Sequence, residues 1–155
     1  MRKRKPKIKE IKPDPRYNDV MVTRFVNNMM VQGKKSTAFK VFYDAMDIVK
    51  EKTGEDEHEI WKKGLNNVIP QVEVRSRRIG GATFQIPTDI PANRKIAIGM
   101  KWMIKFARQR GGKGIAEKMA NEIVAASKGE GAAVKRKEDT HKMAESNRAF
   151  AHFRV

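Results

Sequence analysis

The sequence predicts a mainly α-helical fold, a six-helix bundle with one protruding β-hairpin between its third and fourth helices and a disordered basic N-terminal arm. Three observations predict it. Apolar residues recur at helical spacing over most of the chain; the period changes once, to 2, over residues 72–88; and the first 16 residues have almost nothing apolar to bury. The 155 residues carry no cysteine, which suits one helical domain over residues 17–155 behind an arm of residues 1–16, in a reducing compartment.

The elements follow in order. Val22, Phe25, Val26, Met29 and Met30 line one face of a first helix, with Gly33 as a left-handed stop. Ser36 is expected to cap a second helix whose stripe is Ala38, Val41, Phe42, Ala45, Met46 and Val49, ending near Gly54. A third helix over residues 57–69 buries Trp61, Leu65 and Val68 and stops at Pro70, its acidic start matching the helix dipole. Val72 and Val74, then Phe84 and Ile86, alternate with polar residues around Gly80-Gly81, which reads as a hairpin turn projecting from the body. After Pro91 a fourth helix places Ile96, Met100, Met103 and Ala107 opposite Arg94, Lys101, Lys105 and Arg108. Ile115, Met119, Ala120, Ile123 and Ala126 make a fifth. A sixth, from residue 132 to about residue 148, has only Val134, Met143, Ala144 and Phe150 to pack with, and is expected to dock by few contacts.

Charge points to function. The formal net charge is +16, a self-repulsion that an anionic partner would offset. It is unevenly spread: residues 1–16 sum to +6 and 91–128 to +7, whereas 36–70 sum to −2. The stretch 36–70 therefore reads as a solvent- or protein-facing side, and the arm and second half as the side facing a polyanion. A membrane is not the expected partner, because the most basic segment lacks apolar anchors, Met1 to Lys7 leads into no apolar stretch, and no run of 18 apolar residues exists. Nucleic acid fits better. A lone basic helix face is usually just solvated, but residues 91–116 hold seven basic residues and no acidic one.

Candidate phosphate-binding residues are Arg2, Lys3, Arg4, Lys5, Lys7, Lys9, Lys12 and Arg16 on the arm and Lys34 and Lys35 after the first helix. Arg94, Lys95, Lys101, Lys105, Arg108 and Arg110 follow on the fourth. Charge alone leaves RNA and DNA open, since any phosphate lattice releases counterions. Tyr17, Phe84, Phe150 and Phe153 could stack on unpaired bases or pack locally. Enzyme chemistry has little support. Gly112-Lys113-Gly114 lacks the spacing of a phosphate loop, and His58, His141 and His152 lack metal-ligand spacing, so no cofactor, metal or catalytic residue is expected. A general DNA-compacting chaperone and an RNA-processing enzyme remain the alternatives at this point.

The run from Glu73 to Ala82, continuing Phe84-Gln85-Ile86-Pro87, resembles the hairpin signature of small-subunit ribosomal protein seven, bacterial type. Pro13-Asp14 to Asp19 with Asn27 to Lys35, and Lys135 to Glu145 with Asn147 to His152, resemble the start and the C-terminal helix of that family. No role is carried onto the loop 111–115. The resemblance implies a cytoplasmic, ribosomal protein of the small subunit that is not an enzyme. It implies binding to the 3′ major domain of 16S rRNA, nucleation of head assembly, neighbouring small-subunit proteins, and a place near exit-site tRNA and the mRNA path. Arg75, Arg77, Arg78, Gly80 and Gly81 then fall in the hairpin near that path, and Lys135, Arg136, Lys137, Lys142 and Arg148 in the C-terminal helix.

Overall fold

A computed structural model describes residues 10–153. Residues 1–9, and with them Arg2, Lys3, Arg4, Lys5, Lys7 and Lys9, lie outside the described residues. The order is α1 (Val20–Met29), α2 (Lys35–Thr53), α3 (Glu57–Val68), β1 (Val72–Ile79), β2 (Ala82–Asp89), α4 (Ala92–Gln109), α5 (Ile115–Ser127), α6 (Ala132–Ser146) and a final 3-10 segment, Arg148–Phe153. The mainly helical reading holds, with the hairpin where it was expected.

Helix starts are set by side chains that satisfy orphan backbone N–H groups. Asp19 accepts from the N–H of Met21 at 2.7 Å to begin α1, and Asp56 accepts from those of His58 and Glu59 to begin α3. The expected cap at Ser36 is corrected. Left-handed Gln32 and Gly33 turn the chain so tightly that α2 begins at Lys35, with Lys34 as a cap that makes no side-chain bond and Ser36 exposed in the first turn. The same turn ends α1 earlier than Gly33 alone suggested.

Helix α5 packs against α2, α3 and α4, so its small residues Ala120 and Ala126 sit at the centre of the core. Around it are Phe25, Phe42 and Trp61, whose rings meet edge-on or tilted at 5.5 to 5.8 Å, and Met46, Met100, Met103 and Met119. Each large aromatic buried this way contributes on the order of 3 kcal/mol. Gly99 of α4 has its reason here: a Cβ on it would come within 2.8 Å of Ile69, which ends α3 and leads into the hairpin.

The strands pair antiparallel from Val72↔Asp89 to Ile79↔Ala82, closed by Gly80 and Gly81, both at positive φ as a two-residue turn of this type demands. Near the turn Arg78, Ala82 and Thr83 are exposed, while residues 72–74 and 86–88 bury the root of the hairpin wholly or in part. It is braced by α6 and by the 3-10 segment, where Phe84 meets Phe150 at 5.3 Å and Phe153 at 5.5 Å. These aromatics therefore pack locally. So does Tyr17, stacked on His58 at 4.8 Å.

The sixth helix differs from its expected form. It ends at Ser146, because the Ser146 hydroxyl and the Asn147 amide both donate to the Met143 carbonyl, and Arg148 belongs to the 3-10 segment. Its inward residues are Ala133, Val134, Thr140 and Ala144, while Met143 is exposed. Two polar residues complete the docking stripe: Lys137 donates to the Asn67 carbonyl at 2.8 Å, and His141 accepts the Gln71 N–H through Nε2 at 3.1 Å. Burial, and then the Lys137 charge, hold the His141 pKa below its usual value, which suits a neutral acceptor.

Candidate nucleic-acid interface

Helix α4 reaches the hairpin root, the end of α1 and a groove that Ile11 of the arm also lines. Near its start, Arg94 pairs with Glu73 of β1 at 3.0 Å, and Glu73 also holds Arg75. Lys95 donates to the Gln71 side chain at the hairpin root. In its first half, Asn93, Ile96, Ala97 and Met100 line a groove shared with Arg24, Asn27 and Asn28 of α1 and with Ile11 of the arm. At its far end Arg108 donates to the Met29 carbonyl at 2.7 Å, and lines a second groove with Lys34. One helix thus joins arm, hairpin and α1–α2 turn along its length.

The predicted site residues then fall into two sets. In the first, the charge is already engaged. Arg16 pairs with Asp47 and, at 3.1 Å, with Glu57, and lies over Tyr17 and Tyr43. Arg110 pairs at 3.0 Å with Glu122, a carboxylate with no exposed surface whose other oxygen accepts the Ala133 N–H at the start of α6. Breaking such a buried pair leaves an uncompensated charge, so Arg110 is needed for the fold. Arg77 donates to the Phe153 carbonyl, Arg136 lies 5.8 Å from the Trp102 ring, and Lys35 lies as far from Phe39.

The second set is exposed and has no side-chain partner among the described residues: Lys12, Lys34, Arg78, Lys101, Lys105, Lys135, Lys142 and Arg148. Lys101 and Lys105 stand four apart on one flank of α4, with Arg94 and Arg108 continuing it at either end. Guanidinium groups have five donors, so Arg94 and Arg108 keep some free for a second acceptor.

Carboxylates secure the hairpin and the chain just before α1. Burial alone would push the Glu73 carboxyl up, but its hydrogen bonds to Arg94 and Arg75 outweigh this and hold it below the usual range. Asp14, 2 % exposed, accepts from the N–H groups of Arg16, Tyr17 and Asp19 and from the Tyr43 hydroxyl. Burial raises it and those bonds lower it further, while burial and the bond to Asp14 push the Tyr43 hydroxyl up to about 12. The arm is therefore anchored to α2 from Asp14 onward.

Sequence reading missed Arg24, Asn27, Asn28 and Asn93. Their signal was available: the outward face of α1 carries Arg24, Asn27 and Asn28 at i, i+3, i+4 and no acidic residue.

The profile of the family described as ribosomal protein S7p/S5e matches residues 1–148. The chain is 60% identical to small ribosomal subunit protein uS7 of Cytophaga hutchinsonii over 99% of each chain. It is 62% identical to the proteins of that name from Flavobacterium psychrophilum and Porphyromonas gingivalis, again over 99% of each. This chain, with its basic α4 flank and braced hairpin, belongs to the ribosomal protein S7p/S5e family.

Proposed function

We propose that the chain binds the 3′ major domain of 16S rRNA along the α4 flank, with the arm and the α1–α2 turn gripping the same RNA, and so nucleates assembly of the head. As a family member it is a structural constituent of the small ribosomal subunit, acting in translation and in the cytoplasm, and not an enzyme. The hairpin tip with Arg77 and Arg78, and Arg148 beside its base, face exit-site tRNA and the mRNA path in this reading. Residues 1–16 act as the arm and 17–155 as one binding unit.

The observation that supports the proposal is that α4 reaches the hairpin through Arg94 and Glu73, the end of α1 through Arg108 and Met29, and a groove lined by Ile11 of the arm. Binding is by charge and shape. Phosphate contacts position the protein, and an irregular RNA fold supplies acceptors at several heights along a rigid helix. Competition at fixed salt between 3′-domain RNA and duplex DNA tests this. A strong preference for the RNA is expected, and equal binding to both would replace the reading with that of a general nucleic-acid chaperone.

A further inference from the structure

The groove between α1 and α4 has a chemistry that phosphate binding does not use. Asn27 and Asn28 from α1 and Asn93 from α4 line it with Arg24, over Ile96, Ala97 and Met100, and no carboxylate is among the lining residues. Its volume of about 380 Å³ lies in the range of small-ligand clefts. The Asn28 amide donates to the Arg24 carbonyl at 2.9 Å and so presents its oxygen; the exposed Asn27 and Asn93 side chains have no partner among the described residues.

Phosphate oxygens only accept, and Arg24 in the groove already supplies donors. A carboxamide offers a donor and an acceptor side by side, which is the pattern of a nucleobase edge, and an apolar floor suits a ring face. Arg94 stands three residues before Ala97 and Lys101 four after it, so the cations border the groove on one flank of α4, placed to hold the sugar-phosphate chain on either side of an inserted base. Folded RNA presents unstacked bases in loops and bulges, and a stacked duplex does not.

We propose that this groove receives one unstacked nucleobase of the bound RNA, adenine by preference, between the carboxamides of Asn27 and Asn93. The inference rests on the rRNA-binding reading above and adds the residues that would read sequence. The test uses the full chain with Asn27→Ala and Asn93→Ala together, 3′-domain RNA, a salt titration and dimethyl sulfate probing of adenines. Affinity is expected to fall about tenfold while the salt slope stays unchanged, because base recognition is lost and no phosphate contact is. One unpaired adenine protected by the parent protein should become reactive. Ala97→Leu, which fills the floor and removes no amide, should expose the same adenine. Unchanged affinity and protection in both variants, or a reduced slope in the first, would overturn the proposal. Lys101→Ala with Lys105→Ala separates the two readings: it should flatten the slope and leave that adenine protected, and an unchanged slope would instead refute binding along α4.

Discussion

Helices α2 and α4 are nearly equal in length, 19 and 18 residues, and both lay an apolar face on α5. Their outer faces differ in kind. Along α2, Lys40, Asp44, Asp47, Lys50 and Glu51 mix signs, and Asp47 and Lys50 pair with neighbours; along α4 the outward charges are all positive and the central two are unpaired among the described residues. Packing constrains only the inward stripe, so the outer stripe is free to record what each side of the molecule meets.

The sharpest way to break this comparison is to reverse charge on both helices. Lys101→Glu with Lys105→Glu should weaken binding to 3′-domain RNA by on the order of a hundredfold at low salt, since two phosphate contacts become repulsions. Lys40→Glu should change it by less than about twofold, because a solvated charge on a mixed face contributes little. Gel-shift titration of all three proteins decides it, and similar losses on α2 and α4 would erase the distinction.

A smaller effect is expected at Arg108, which serves both fold and surface. Arg108→Ala leaves the Met29 carbonyl at the end of α1 without its partner and should cost about 1 kcal/mol in denaturant unfolding. Lys40→Ala should cost nothing measurable in the same experiment.

Acid should act on both helices, most weakly of all. Glu57 beside α2 is raised by burial and lowered more by its own backbone N–H, Tyr17, Lys50 and Arg16, so it lies below its usual value as Glu73 does beside α4. Carboxyls held low in the folded state add stability above their unfolded pKa, about 4.5 for Glu. That stability disappears as the pH falls through the lowered values, so melting temperature should be flat from pH 7 to about 5 on their account and drop below about pH 4. Glu73→Gln should remove the hairpin's share of the drop, seen as amide-exchange protection factors in β1 that no longer fall with acid.

The α2–α4 contrast was legible in the sequence because it needs only helical period and the sign of each charge. The two-glycine turn was local as well and was read, whereas the caps at Asp19 and Asp56, equally local, were not read as caps. What could not be read were pairings across long separations: Arg16 with Asp47 and Glu57, Arg94 with Glu73, and Arg110 with Glu122. Each gives a residue that looks like a phosphate ligand a part in the scaffold as well. Helix α6 hid its docking face for a related reason: Lys137 and His141 make hydrogen bonds across it, buried Thr140 turns its hydroxyl back to the Arg136 carbonyl, and a search for apolar residues passes over all three.

The absence of cysteine allows a direct test of which side meets RNA. A single cysteine placed by Gln109→Cys on α4 or by Glu51→Cys on α2, both exposed positions, can carry a tethered iron chelate that cleaves nearby RNA by hydroxyl radicals. The account predicts strong, localised cleavage of bound 3′-domain RNA from the α4 position and little from α2. Equal cleavage from both, or cleavage from α2 alone, would contradict it.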